Sequence, residues 1–202
     1  MTAFKPAIWP EEPAPPYAVN CQNCELAGHR GRVIWGEGNP EAPLFVLLDN
    51  PGARENKEGA PFVCGTRETL QQGLHEVGVE PDAVYVSYLL KCRPLRAYDK
   101  PLAREACAPY WKLQLADKHP DLLLGLGNVV AQALVPGEDA EVKRLRGSWH
   151  QAAGLPTTFT YHPLAVRRRP VLMKYFLEDL AMVARELKER GKATKRRQDS
   201  SE

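Results

Sequence analysis

A chain of 202 residues with 44% hydrophobic content can bury one substantial core and fits a single domain. It has no apolar run of the ~18 residues needed to span a bilayer, and its first residues carry Lys5, Glu11 and Glu12 in place of the apolar centre of a secretory signal, so the expectation is a soluble, cytoplasmic protein. The net charge is only +2 but unevenly spread, with basic clusters at Lys143, Arg144 and Arg146, at Arg167, Arg168 and Arg169, and in the C-terminal tail; such clusters either follow phosphates or are ordinary solvated surface.

Residues 1–20 are punctuated by Pro6, Pro10, Pro13, Pro15 and Pro16 and show no periodicity, which predicts an extended arm lying on the domain or free in solution. Cys21-Gln22-Asn23-Cys24 follows. Two cysteines three apart can reach one metal ion or cluster, and a cytosolic setting argues against a structural disulfide. Cys92 and Cys107 are the candidate further donors. Four thiolates complete either a tetrahedral zinc site or a [4Fe-4S] cluster, and spacing does not choose between them; both later cysteines are equally readable as small buried hydrophobes.

The apolar run Leu44-Phe45-Val46-Leu47-Leu48 reads as a fully buried strand, and the change to Asp49-Asn50-Pro51-Gly52 forces a turn where the sheet ends. In an open parallel sheet ligands bind beyond the carboxyl ends of the strands, which makes Asp49 and Asn50 candidates for chemistry, although Asn-Pro-Gly is also simply a good turn. Residues 66–77 predict a helix stopped by Gly78, 82–90 a second strand, 103–118 a helix ending before Pro120, and 121–127 a third strand leading into a helix at 128–134. Residues 157–161 predict a fourth strand ending at His162-Pro163. A last helix at 171–189 is expected to give way to a basic, polar and disordered tail, 190–202. Alternating strands and helices imply an α/β chain, a three-layer α/β/α sandwich around a short, mainly parallel, four-stranded sheet, with one globular domain at 21–189. Asn50 and His162 then stand at the carboxyl ends of two strands.

The ordered set Cys21-x-x-Cys24-x-Leu26, Gly36-Glu37-Gly38-Asn39-Pro40, Pro51-Gly52, Gly59-x-Pro61-Phe62-Val63, Lys91-Cys92-Arg93-Pro94, Cys107, Leu126-Gly127, Arg146-Gly147-x-Trp149 and His162-Pro163 resembles the iron-sulfur, family 4 type of uracil-DNA glycosylases. The resemblance covers about Cys21 to Leu187. It implies that Cys21, Cys24, Cys92 and Cys107 hold a [4Fe-4S] cluster whose role is structural, pinning loops near DNA. It implies that Phe62 stacks on an extruded base, that His162 donates toward the uracil oxygen that gains charge, and that Leu164 with Arg167, Arg168 and Arg169 forms a DNA-intercalating loop, an apolar wedge flanked by cations. The bare residues allow blander roles: an aromatic after Pro that only packs, a satisfied strand-end His, and arginines that only face water.

Two departures stand out. The first motif, Leu48-Asp49-Asn50-Pro51-Gly52, keeps a carboxylate at Asp49, and its Asn-Pro-Gly resembles the mismatch-specific and single-strand-selective glycosylases, where that Asn positions the water; Asn50 is therefore the first water-positioning candidate and Asp49 the second. Ser87-Tyr88 stands where the family has Thr-Asn, so Tyr88 replaces the amide that reads the base, and a phenol offers a single donor-acceptor group. Cys64 also stands where the family often has Gly, and Thr66-Arg67-Glu68 replaces its usual small-residue turn. The expected activity is monofunctional hydrolysis of the N-glycosidic bond to uracil in DNA, by a monomer. A glycosylase for hypoxanthine or xanthine, or a non-catalytic nucleic-acid-binding descendant, are the alternatives.

Overall fold

A computed structural model describes residues 4–57, 65–137 and 140–199, the last six by backbone alone. Phe62 and Cys64 lie outside the described residues. Four parallel strands form the centre of the sheet: β3 (Leu44–Leu48), β4 (Val84–Tyr88), β5 (Leu122–Leu126) and β7 (Leu155–Thr160). Leu44 faces Val84 on one side and Leu122 on the other, and Leu123 faces Thr157. The four lie close to where the sequence places them: β3 and β5, covered on both faces, are continuous apolar runs, while β4 and β7 also bury Ser87, Thr157, Thr158 and Thr160.

The sheet is nevertheless seven-stranded, not four-stranded as expected, in the order β1-β2-β4-β3-β5-β7-β6. The additions are β1 (Glu11–Glu12), β2 (Gly36–Gly38) and β6 (His150–Ala152), all antiparallel. They carry no apolar signal because pairing at an edge, not burial of a face, creates them. Close approach demands the glycines of β2: a Cβ on Gly36 would run into the Tyr85 hydroxyl, and one on Gly38, at φ +104°, would run into the Val84 carbonyl.

Side-chain alternation along β3 divides the core in two. Leu44, Val46 and Leu48 pack with Leu70, Leu74, Phe176, Leu180 and Val183 on one face, and Phe45 and Leu47 pack with Trp111, Leu115 and Val130 on the other. The first helical layer is α2 (Gly65–Glu76), α6 (Pro163–Arg168) and α7 (Leu172–Asp199); the second is α3 (Lys100–Lys118) and α4 (Asn128–Leu134). Each fully buried Leu, Val or Phe contributes about 1.5–3 kcal/mol. Short helices α1 (Pro16–Val19) and α5 (Val142–Leu145) complete the chain. Among the described residues no helix is long and apolar enough to cross a membrane.

The N-terminal end takes one of its two expected forms, and the C-terminal end differs from expectation. The Pro-rich arm lies on the domain: Trp9 is buried, Gln71 bonds both backbone groups of Ala7 at 2.7 and 2.8 Å, and Tyr85 donates to Glu12. The last helix continues to Asp199, well past 189, because the basic tail is made of good helix formers braced by pairs such as Glu186–Arg190 and Glu189–Lys192, each 2.8 Å.

Candidate active site at the carboxyl ends of the strands

The turn after β3 is held by its own side chains. Asp49 Oδ1 accepts the Asn50 backbone N–H at 2.8 Å, and Asn50 Nδ2 donates to the Pro51 carbonyl at 2.9 Å. The Asp49 carbonyl accepts the Leu90 N–H at 2.9 Å, which ties the turn to the chain leaving β4. Donating through Nδ2 aims the Asn50 amide, and its Oδ1 accepts from none of the described residues.

At the end of β7, His162 caps α6. Its Nδ1 accepts the Leu164 N–H at 3.1 Å, so a neutral ring carries its proton on Nε2. That Nε2 stands 3.8 Å from Asp49 Oδ1. Burial pushes the imidazole below its ordinary value; the Asp49 carboxylate opposes the shift and the Arg67 guanidinium adds to it. The site thus favours an uncharged donor beside a carboxylate. Gly127 explains part of this placement: at φ +91° it turns the chain after β5, and a Cβ there would lie 3.0 Å from that of His162.

Asp49, Asn50, Tyr88, His162, Leu164, Arg167, Arg168 and Arg169 all line one open cleft of about 1040 Å³. The segment expected to be an intercalating loop is the short helix α6, with Arg169 at its C-cap. Pro163 at the first helical position and the His162 cap are the sequence signals for it. Leu164 is 39% exposed on this helix, and its three arginine neighbours are exposed too.

Tyr88 does not stand alone against the cleft. Its phenol, 1% exposed, accepts a hydrogen bond from Arg67 Nη2, and Arg67 Nε donates to Glu37 on β2. The guanidinium carbon sits 5.4 Å from the Tyr88 ring centroid. In the sequence Arg67 is only a departure from a small-residue turn; nothing in its spacing announces a buried arginine. Lys91 is equally hidden, donating to the Trp35 carbonyl at 3.0 Å and to Ser87 and Gln114, which anchors the segment leading to Cys92.

The four cysteines share one region. Cys24, Cys92 and Cys107 pack around Leu26 and Leu90, and Arg30 Nη1 donates to the Cys21 carbonyl at 2.6 Å. Burial first, then the neighbouring Cys107, pushes the Cys92 thiol up to about 12; Arg30 opposes this while Cys24 and Cys21 add to it. Burial likewise raises Cys107, against the Lys91 backbone and ammonium. Among the described residues no group of three or more His, Cys, Asp or Glu side chains is drawn together as for a single metal ion. Arg93 and Pro94, directly after Cys92, line the cleft, so the cysteine region and the cleft share a stretch of chain.

Fold and cleft together define a three-layer α/β/α protein whose site lies beyond parallel strand ends, with a carboxylate, an amide and an imidazole under an arginine-rich helix. The chain belongs to the uracil DNA glycosylase superfamily, whose family model matches residues 35–181. It is 34% identical over 171 residues to a Type-4 uracil-DNA glycosylase of Pyrobaculum aerophilum, covering 81% of this chain and 87% of the relative. It is 33% identical to that of Sulfurisphaera tokodaii, over 82% of this chain and 79% of the relative. Against that of Thermotoga maritima it is 29% identical, over 85% and 91%.

Proposed function

We propose that this chain removes uracil from DNA by monofunctional hydrolysis of the N-glycosidic bond. The observation that carries this reading is the meeting of Asp49 and His162 across 3.8 Å within a cleft that also presents Asn50. A duplex hides the scissile bond, so the base is extruded into the cleft, with Leu164 filling the gap in the stack and Arg167, Arg168 and Arg169 holding phosphates. Phe62 is assigned by resemblance alone to the stacking platform.

The C1′–N1 bond breaks first, and its electron pair leaves with the base. The sugar becomes oxocarbenium-like, and the Asp49 carboxylate stabilises that charge. His162 Nε2–H donates to the uracil O2, which gains negative charge, and the neutral ring suits this because its Nδ1 is already engaged. Asn50 Oδ1 orients a water whose oxygen bonds to C1′; its proton passes to solvent by way of Asp49. Departure of the base supplies most of the barrier, so an amide suffices to place the water. The motifs place no lysine as a Schiff-base nucleophile, so the expected product is an abasic site without strand cleavage.

The donor set of four thiols, three of them packed together, fits a [4Fe-4S] cluster held by Cys21, Cys24, Cys92 and Cys107. The cluster would take up the thiolate charge that burial first, and the neighbouring cysteines second, disfavour, and would brace Arg93 and Pro94 at the cleft.

Purified protein is assayed on oligonucleotides bearing uracil, hypoxanthine or xanthine, followed by alkali. Alkali-labile abasic product from uracil supports the proposal. Product only from a purine establishes the other base preference, and DNA affinity with no product from any substrate establishes a binding protein. Absorbance at about 400 nm, lost in Cys107→Ser, separates iron-sulfur from zinc.

A further inference from the structure

The cleft holds a group that the proposed hydrolysis does not use. Arg67 is only 4% exposed yet lines the cleft beside Asp49 and His162. A guanidinium carries five N–H donors in a fixed plane. Nε serves Glu37 and one Nη2–H serves Tyr88, and Nη1 finds no acceptor among the described residues. The two partners come from different strands, β2 and β4, and the guanidinium carbon lies 5.4 Å from the Tyr88 ring centroid, so two residues fix the plane.

We propose that Arg67 is the residue that reads the extruded base, donating from Nη1 to the carbonyl oxygen on the edge away from the sugar, with Tyr88 and Glu37 as its positioning residues. This rests on the cleft being the base site. A donor-only group in that position donates to a keto oxygen, the O4 of uracil or the O6 of hypoxanthine or xanthine. It opposes the exocyclic amine of cytosine or adenine, whose N–H bonds would face its own. Tyr88, which by itself looks like a loss of recognition, becomes the support of a stronger, charged donor.

The probe is a pair of oligonucleotides, one bearing uracil and one bearing pyrimidin-2-one, which lacks O4. Excision and equilibrium affinity are measured for both with the wild-type protein and Arg67→Met. Intrinsic leaving-group differences cancel in the comparison. The expected result is a loss of roughly tenfold to a hundredfold in kcat/KM and in affinity for uracil in Arg67→Met, with less than about threefold change for pyrimidin-2-one. Arg67→Lys recovers part of the discrimination. Equal losses on both bases, or no loss, overturn the proposal. Should Arg67→Met not fold, Tyr88→Phe and Glu37→Gln, which keep the core volume, are expected to narrow the same ratio by several-fold, and an unchanged ratio in both overturns it. A wild-type protein that excises neither base defeats the glycosylase reading alone; the affinity comparison still decides Arg67, and equal wild-type affinity for the two bases counts against it.

Discussion

His162 presents Nε2 to Asp49 Oδ1 across 3.8 Å while its Nδ1 accepts the backbone N–H of Leu164 at 3.1 Å. One ring thus both caps the helix that carries the basic residues and faces the turn after β3. Protonating Nδ1 would set two donors against each other at the cap, so the neutral tautomer with its hydrogen on Nε2 is the working form.

His162 therefore titrates below its ordinary value of 6.5, with burial as the main cause. Between the folded and unfolded values the unfolded chain holds a proton that the folded chain does not. This group's contribution is then most favourable above the unfolded value and is lost as pH falls through 6.5 toward the folded value. Imidazole resonances followed by NMR check the sign. Asp49→Asn, which removes the opposing carboxylate, lowers the midpoint further; Arg67→Met raises it.

Asn50→Ala is expected to lower kcat by about 10²–10⁴-fold with DNA affinity nearly unchanged, since a water-orienting group acts mainly in the transition state. Asp49→Asn lowers kcat as well. Single-turnover rates with saturating enzyme separate this from weaker binding, and a larger effect on affinity than on the chemical step would reassign Asn50 to substrate binding.

Leu164 and its arginine neighbours do separable work. Leu164→Ala reduces excision from duplex by about tenfold and barely affects single strands, where no stack needs filling. Neutralising Arg167, Arg168 or Arg169 lowers affinity for any sequence and reduces the slope of log K against log salt by about 1 for each phosphate no longer neutralised. Titrations at several salt concentrations provide the measurement.

Arg146 is expected to act through stability alone. Its Nε donates at 3.0 Å to Asp179 Oδ2, a buried carboxylate oxygen that also accepts from Thr160 Oγ1 at 2.6 Å. Arg146→Met strands that carboxylate and destabilises the fold by about 3–5 kcal/mol. Replacing Asp179 by Asn in the same chain recovers much of the loss. Denaturant unfolding measures both, and the excision rate per folded molecule should stay constant.

Leu44–Leu48, the turn at Asp49 and Asn50, and the strand end at His162 were legible in the sequence because each depends on local rules. β3, covered on both faces, is apolar throughout, and the residues that follow break it. The four cysteines offered a donor set in the sequence, without a choice between zinc and iron-sulfur. The edge strands at Glu11–Glu12, Gly36–Gly38 and His150–Ala152 were not, since their pairing comes from partners far along the chain and their own side chains bury little. Arg67 is the sharpest case. An arginine in the first turn of a helix reads as solvated surface; only tertiary packing brings Glu37 and Tyr88, from two other strands, to its guanidinium and turns a surface charge into a buried one. Local alternation and turn chemistry determined where the strands end, while long-range desolvation and ion pairing decided which side chains face the cleft.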